Sequence, residues 1–299
     1  MMSALILSVR RNCKTFFKDK GMFFSSLITP IILLVLYVFF LAKVFKDSFE
    51  QQFAGAPISE RLLNGMVAGQ LCSSLLAVCC VTVAFCSNLL VVQDKVTGAR
   101  NDLLVSPTKR YIHALGYYIS TAVTTLIVCL IALAGCLIYV ACMGWFMSVG
   151  EVFLMLLDVV LLVLFGTALS SVINFFLTSQ GQMSAVGTIV SAGYGFICGA
   201  YMPIAFFGKV LQNILGFFPG TYGTSLIRGH ALAGTLRELE ALGCGSAVIE
   251  GIKDSIDGNL YFFGNKVEVW VSYLVLTLSI AALIAVFVLL NIFSGKKKK

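Results

Sequence analysis

An all-α integral membrane protein with six transmembrane helices is the fold class the sequence predicts, on three observations. Of the 299 residues, 59% are hydrophobic and 12% charged, and the mean hydropathy is +0.96; a soluble domain carries about 25% charged residues. Six apolar runs each approach or exceed the ~20 residues needed to cross a bilayer core. Basic residues concentrate in every second connection. Such a chain would expose more apolar surface in water than monomers tolerate. A free globular protein, a disordered chain and a nucleic-acid-binding domain are therefore excluded.

Residues 1–22 open the chain as an interfacial amphipathic helix. Leu5, Ile6, Val9, Cys13, Phe16 and Phe17 recur at three- and four-residue steps, and Arg10, Arg11, Lys14, Lys18 and Lys20 fill most of the gaps. That pattern lays a helix in the membrane surface with its cations at anionic headgroups. The apolar run that follows is longer than a signal-peptide core, so it is expected to be retained. A six-helix domain then occupies residues 23–293. Its spans are Phe23–Phe45, Met66–Val92, Leu115–Ala141, Val152–Phe176, a fifth from Met183 that weakens at Tyr201-Met202-Pro203, and Val267–Phe293. Residues 294–299 form a lysine tail.

Charge sets the orientation. With the N-terminus inside, the inner segments hold 13 basic residues and three acids, and the outer segments hold eight basic residues and ten acids. The positive-inside rule then places both termini in the cytoplasm.

Two connections carry more than charge. In the inner loop 93–110 the run Leu103-Leu104-Val105 sits between polar stretches and meets Pro107. Proline disfavours helix at the preceding residue, so a short helix should end there, and its apolar ridge needs a cover from another protein. The outer segment 202–266 starts with Pro203 to Phe218, too apolar for an ordinary loop and too short to cross, which suits a re-entrant or interfacial stretch. Gly220 to Lys266 is acidic and glycine-rich and reads as a small folded outer loop. Seven of the ten cysteines lie within apolar runs with no paired spacing for a zinc site or a disulfide framework, so they read as small buried hydrophobes.

No phosphate loop, H-E-x-x-H or G-x-S-x-G occurs, and no set of nucleophile, base and metal ligand is apparent. The chain is therefore expected to be no enzyme and to hold no cofactor or metal. Asp158 is the one acid inside a span, which makes it a functional candidate by default; Lys43 is its candidate partner, and the two histidines, His113 and His230, lie near span ends. The sequence describes a membrane pathway without an energy source of its own.

The inner loop, with Asp94, Lys95, Gly98, Asp102, Leu103, Leu104, Val105, Ser106 and Pro107, resembles the first cytoplasmic loop of ABC-2-type transporter permeases. The outer run is similar to that family's passage from the fifth helix into re-entrant outer helices: Gly199, Met202 and Pro203, then Phe217, Phe218, Pro219, Thr221, Tyr222 and Arg228. Many members have Gly-Thr where this chain has Thr97-Gly98. The Asp-Lys…Asp-Leu-Leu form is more like drug- or peptide-export permeases of bacteria than polysaccharide exporters.

The resemblance implies a permease subunit in a bacterial cell membrane. Residues 93–110 would carry a cytoplasmic coupling helix against a separate cytosolic ATPase, which binds ATP and magnesium. The outer run would form a gate. Two permeases, alike or different, would pass a drug, peptide or other small amphipathic substrate outward between them, with membrane lipids as further partners and no nucleic acid. Three other readings compete: export of polysaccharide or lipid-linked glycan by the same architecture, an ion-coupled secondary transporter using Asp158, and a membrane enzyme or assembly anchor.

Overall fold

The computed structural model describes residues 2–53, 58–105, 108 and 110–296. Ser106, Pro107 and the last three lysines lie outside the described residues.

Helix α1 (Met2–Lys18) is followed by α2 (Lys20–Leu36), whose N-cap Asp19 accepts from the Met22 amide. A π-helical turn, Tyr37–Leu41, carries the helix on into α3 (Ala42–Phe53). The Tyr37 hydroxyl donates to the Val67 carbonyl at that turn. Helix α4 (Glu60–Val96) is 37 residues long, about 55 Å at 1.5 Å per residue, and forms the buried centre of the bundle. It starts from the Ser59 N-cap, and polar turns at both ends extend the mainly apolar stretch from Met66 to Val92.

Helix α5 (Ala99–Val105) follows a turn at Gly98, whose φ of +83° suits glycine. Then come α6 (Arg110–Met143) and α7 (Val149–Phe176). The Ser148 and Glu151 capping box starts α7. Helix α8 (Gln180–Ile197) leads through a 3₁₀ turn, Ile204–Phe206, to the short α9 (Lys209–Leu215) and then α10 (Pro219–Ala241). Helix α11 (Ser246–Ser255) precedes a two-stranded antiparallel hairpin, β1 (Leu260–Phe262) and β2 (Asn265–Val267), and α12 (Val269–Lys296) ends the described chain.

Among the described residues, five helical stretches are long and apolar enough to cross a membrane: Lys20–Gln51, Glu60–Val96, Tyr111–Met143, Val149–Phe176 and Val269–Phe293. The protein is an all-α, multi-pass membrane protein. Helix α8, the expected fifth span, is not one of the five. It begins with Gln180 and Gln182, is rich in glycine and serine, and rises only about 27 Å over its 18 residues.

The stretch expected as a glycine-rich outer loop is corrected at its first half. Residues 219–241 form α10, a largely buried helix packed on α4, α7 and α12. Its glycines are contact points rather than loop breakers. A Cβ on Gly223 would lie 2.6 Å from Leu162 Cδ1, and one on Gly234 would lie 2.2 Å from the Phe146 carbonyl oxygen. Gly234→Ala should therefore cost about 1–3 kcal/mol by overpacking, read as a lower Tm of the detergent-solubilised protein.

Candidate functional site

Three polar clusters and one groove organise the bundle. The first cluster sits at the basic end, where α1 and α5 lie. Asp94, on the last turn of α4, is buried and accepts a bidentate pair from Arg11 of α1, at 2.6 and 3.0 Å. The Tyr117 hydroxyl of α6 donates to the same carboxylate. The hydrogen bonds to Asp94 and its negative charge raise the Arg11 pKa above its ordinary value. Lys95, the next residue, turns the other way. Its ammonium donates to the carbonyls of Asn174, Phe175 and Leu177 at 3.0, 2.8 and 2.9 Å, a cationic cap on the C-terminus of α7.

Asp94 and Lys95 therefore face the bundle and weld α5's root to α1, α6 and α7. Beyond them Gly98 makes the turn, and α5 projects with Leu103 half-buried and Val105 87% exposed. Asp102 and Leu104 lie on the same helix, and their side chains lie outside the description.

The second cluster centres on Arg228 of α10, which is fully buried. Its guanidinium donates to the carbonyls of Ile256 (2.6 Å) and Gly199 (2.8 Å), to the Ser74 hydroxyl (3.2 Å) and to Asp257 (3.3 Å). Asp257 also accepts from the backbone amides of Ile204 and Ala205. One ion pair thus joins α4, the end of α8, the 3₁₀ turn, α10 and the chain after α11. Gly199 has φ +74°, and a Cβ there would lie 2.8 Å from Asp257 Oδ2, so no other residue fits without strain.

The other residues of the outer run gather around this cluster. Thr221 and Tyr222 donate to the carbonyls of Leu215 (3.0 Å) and Gly216 (2.8 Å). Phe218 packs edge-on against Phe165 and Tyr194, and Pro219 opens α10. Phe217 is exposed and stacks edge-on with Phe262 and Phe263. Met202 and Pro203 line the groove described below.

The third cluster corrects the reading of Asp158. Its partners are His230 of α10, Nδ1 to Oδ2 at 2.6 Å, and the hydroxyl of Tyr273 of α12 at 2.7 Å, rather than Lys43. Asp158 is wholly buried, nine residues into α7, at the crossing of three helices. His230, expected near a span end, belongs to this buried node. Arg11, Tyr117, Asp257, His230 and Tyr273 were not singled out as site residues. Only Arg11 left a signal, as part of the basic face of α1.

The groove runs between α2 and α8 over α4, with a cavity of about 1080 Å³. Its walls mix apolar residues such as Ile28, Ile32 and Phe196 with hydroxyls such as Thr29, Thr188 and Ser191, and among the described residues no charged one lines it. Among the described residues, no group of three or more histidine, cysteine or acidic side chains could hold a metal ion.

A search of curated proteins finds no match. The sequence model of one family, described as ABC-2 family transporter protein, matches residues 57–295. That stretch covers most of the chain and takes in the long central helix, the α5 turn and all three polar clusters apart from Arg11. By that match, the chain belongs to the ABC-2 transporter family.

Proposed function

We propose that this chain is the permease subunit of an ATP-driven exporter in a bacterial plasma membrane. A separate cytosolic ABC ATPase binds ATP and magnesium, and the chain itself catalyses nothing and holds no cofactor. Helix α8 is the fifth of six spans, and the segment from Pro203 to Phe218 is re-entrant. Both termini are cytoplasmic, as the charge distribution of the connections requires. A second permease, identical or different, faces this one, and substrate leaves between them.

The observation that carries this reading is the uncharged groove of about 1080 Å³ along α2, α4 and α8. A helix as polar and as exposed as α8 is poorly matched to lipid on that face, and a facing permease would enclose the groove as a pathway. Hydroxyls on apolar walls suit a drug, a peptide or another small amphipathic molecule better than a highly charged glycan. The outer run around Arg228 and Asp257 closes its far end as a gate. Physically this is a bistable pair of bundles, biased by closure of the ATPases beneath them.

Val105→Asp is the selective test, because Val105 is exposed and its replacement touches no buried contact. With the partner ATPase in liposomes, the variant is expected to fold with unchanged Tm and to lose most ATP-dependent transport. Leu103→Asp should uncouple as well, with some loss of stability. Full transport by Val105→Asp would exclude α5 as the coupling helix. The Asp158 node favours one second reading, ion-coupled transport, which is separated from this one in the Discussion.

A further inference from the structure

We propose that α1 binds anionic phospholipid headgroups and passes that occupancy to α5 through the Arg11–Asp94 ion pair. The proposal rests on the reading above only in treating α5 as the working contact.

Helix α1 has two unlike faces. Asn12 and Phe16 are buried, the Cys13 thiol donates weakly to the Ser120 carbonyl, and Ser8 sits against Gly116, so this face is docked on α6. The opposite stripe carries Arg10, Lys14 and Lys18, all exposed, and Lys20 is exposed just beyond it. None of these four takes part in an ion pair among the described residues. Asp19 is the only acid in the first 46 residues, and its carboxylate already caps α2 at the Met22 amide. Among the described residues, none supplies a counter-ion for this stripe.

Met2, Ile6, Leu7 and Phe17 are exposed on the same helix, and α1 runs directly into a membrane span. Apolar side chains beside unpaired cations fit a leaflet surface rather than a soluble anion.

The link from α1 to α5 runs through Arg11. Arg11 lies between Arg10 and Lys14 in sequence but is turned inward, and it grips Asp94 with both nitrogens. Asp94 stands four residues before Gly98, whose positive φ and open surroundings make it the turn into α5. A change in the seating of α1 therefore pulls on the root of α5. Tyr117 holds the same carboxylate from α6, so the pull acts against a fixed point.

The test is hydrogen exchange of the permease alone in nanodiscs of phosphatidylcholine, with or without phosphatidylglycerol. Phosphatidylglycerol is expected to slow exchange of α1 and of the amides of Ala99–Val105 by about fivefold, the effect of one typical lysine contact with an anionic surface. Lys14→Gln with Lys18→Gln should remove both responses. Asp94→Asn should keep the α1 response and lose the α5 response, whereas Arg11→Lys, which keeps a cation opposite Asp94, should retain part of the α5 response. Inorganic phosphate in phosphatidylcholine discs should do nothing. Equal α5 exchange in the two lipids, an undiminished α5 response in Asp94→Asn, or a response to inorganic phosphate would overturn the proposal. These outcomes need no ATPase, so they stand apart from the fate of Val105→Asp.

Discussion

Arg228→Met should lower stability by about 3–5 kcal/mol, the usual cost of leaving one member of a buried ion pair behind. Arg228 is wholly buried, and its guanidinium is shared among Ile256, Gly199, Ser74 and Asp257. Removing it strips two carbonyls of their donor and leaves the Asp257 carboxylate without its cation. Arg228→Lys should recover little, because one ammonium cannot reproduce a planar fork aimed at acceptors on several segments. Replacing both members by apolar residues is often neutral elsewhere, but here it should rescue only in part. Asp257 also caps the amides of Ile204 and Ala205 and sits at φ 55°. Thermal unfolding in detergent would rank the variants as wild type, then Arg228→Lys, then Arg228→Met. An Arg228→Met protein with unchanged Tm would show that the pair does not hold the gate segments together.

Long apolar runs made α4, α6, α7 and α12 legible because bilayer thickness sets a minimum apolar length for every span. The same logic missed α10, since its glycines and charges look like a loop when read alone. Gly223 and Gly234 are small because Leu162 and the Phe146 carbonyl occupy the space a side chain would need, and that space exists only in the folded bundle. Asp94 and Lys95 were legible as important and misplaced in direction. The apolar part of α4 stops near Val92, but the helix continues to Val96. Both side chains are thereby carried into the reach of Arg11 and the α7 terminus, instead of lying on a loop surface. Asp158 stood out because charge inside a span is costly. Its partners lie 72 and 115 residues away in sequence, and no local pattern announces them.

His230→Ala is expected to cost about 1–3 kcal/mol, the penalty for leaving a buried polar group one partner short. It would leave a wholly buried Asp158 with only the Tyr273 hydroxyl as donor. Asp158→Asn should be milder, about 1 kcal/mol, since an amide of the same shape removes the buried charge and can still bond both neighbours. The milder variant is the more informative one for function. In an ATP-driven exporter the node is a fastening between α7, α10 and α12, so Asp158→Asn should keep most ATP-dependent transport in liposomes with the partner ATPase. In an ion-coupled carrier the carboxylate itself would load and release the ion, and the same substitution would abolish transport. Retained, strictly ATP-dependent flux in Asp158→Asn therefore favours the exporter. Flux that proceeds without ATP in the wild type and disappears in Asp158→Asn would transfer the driving role to Asp158.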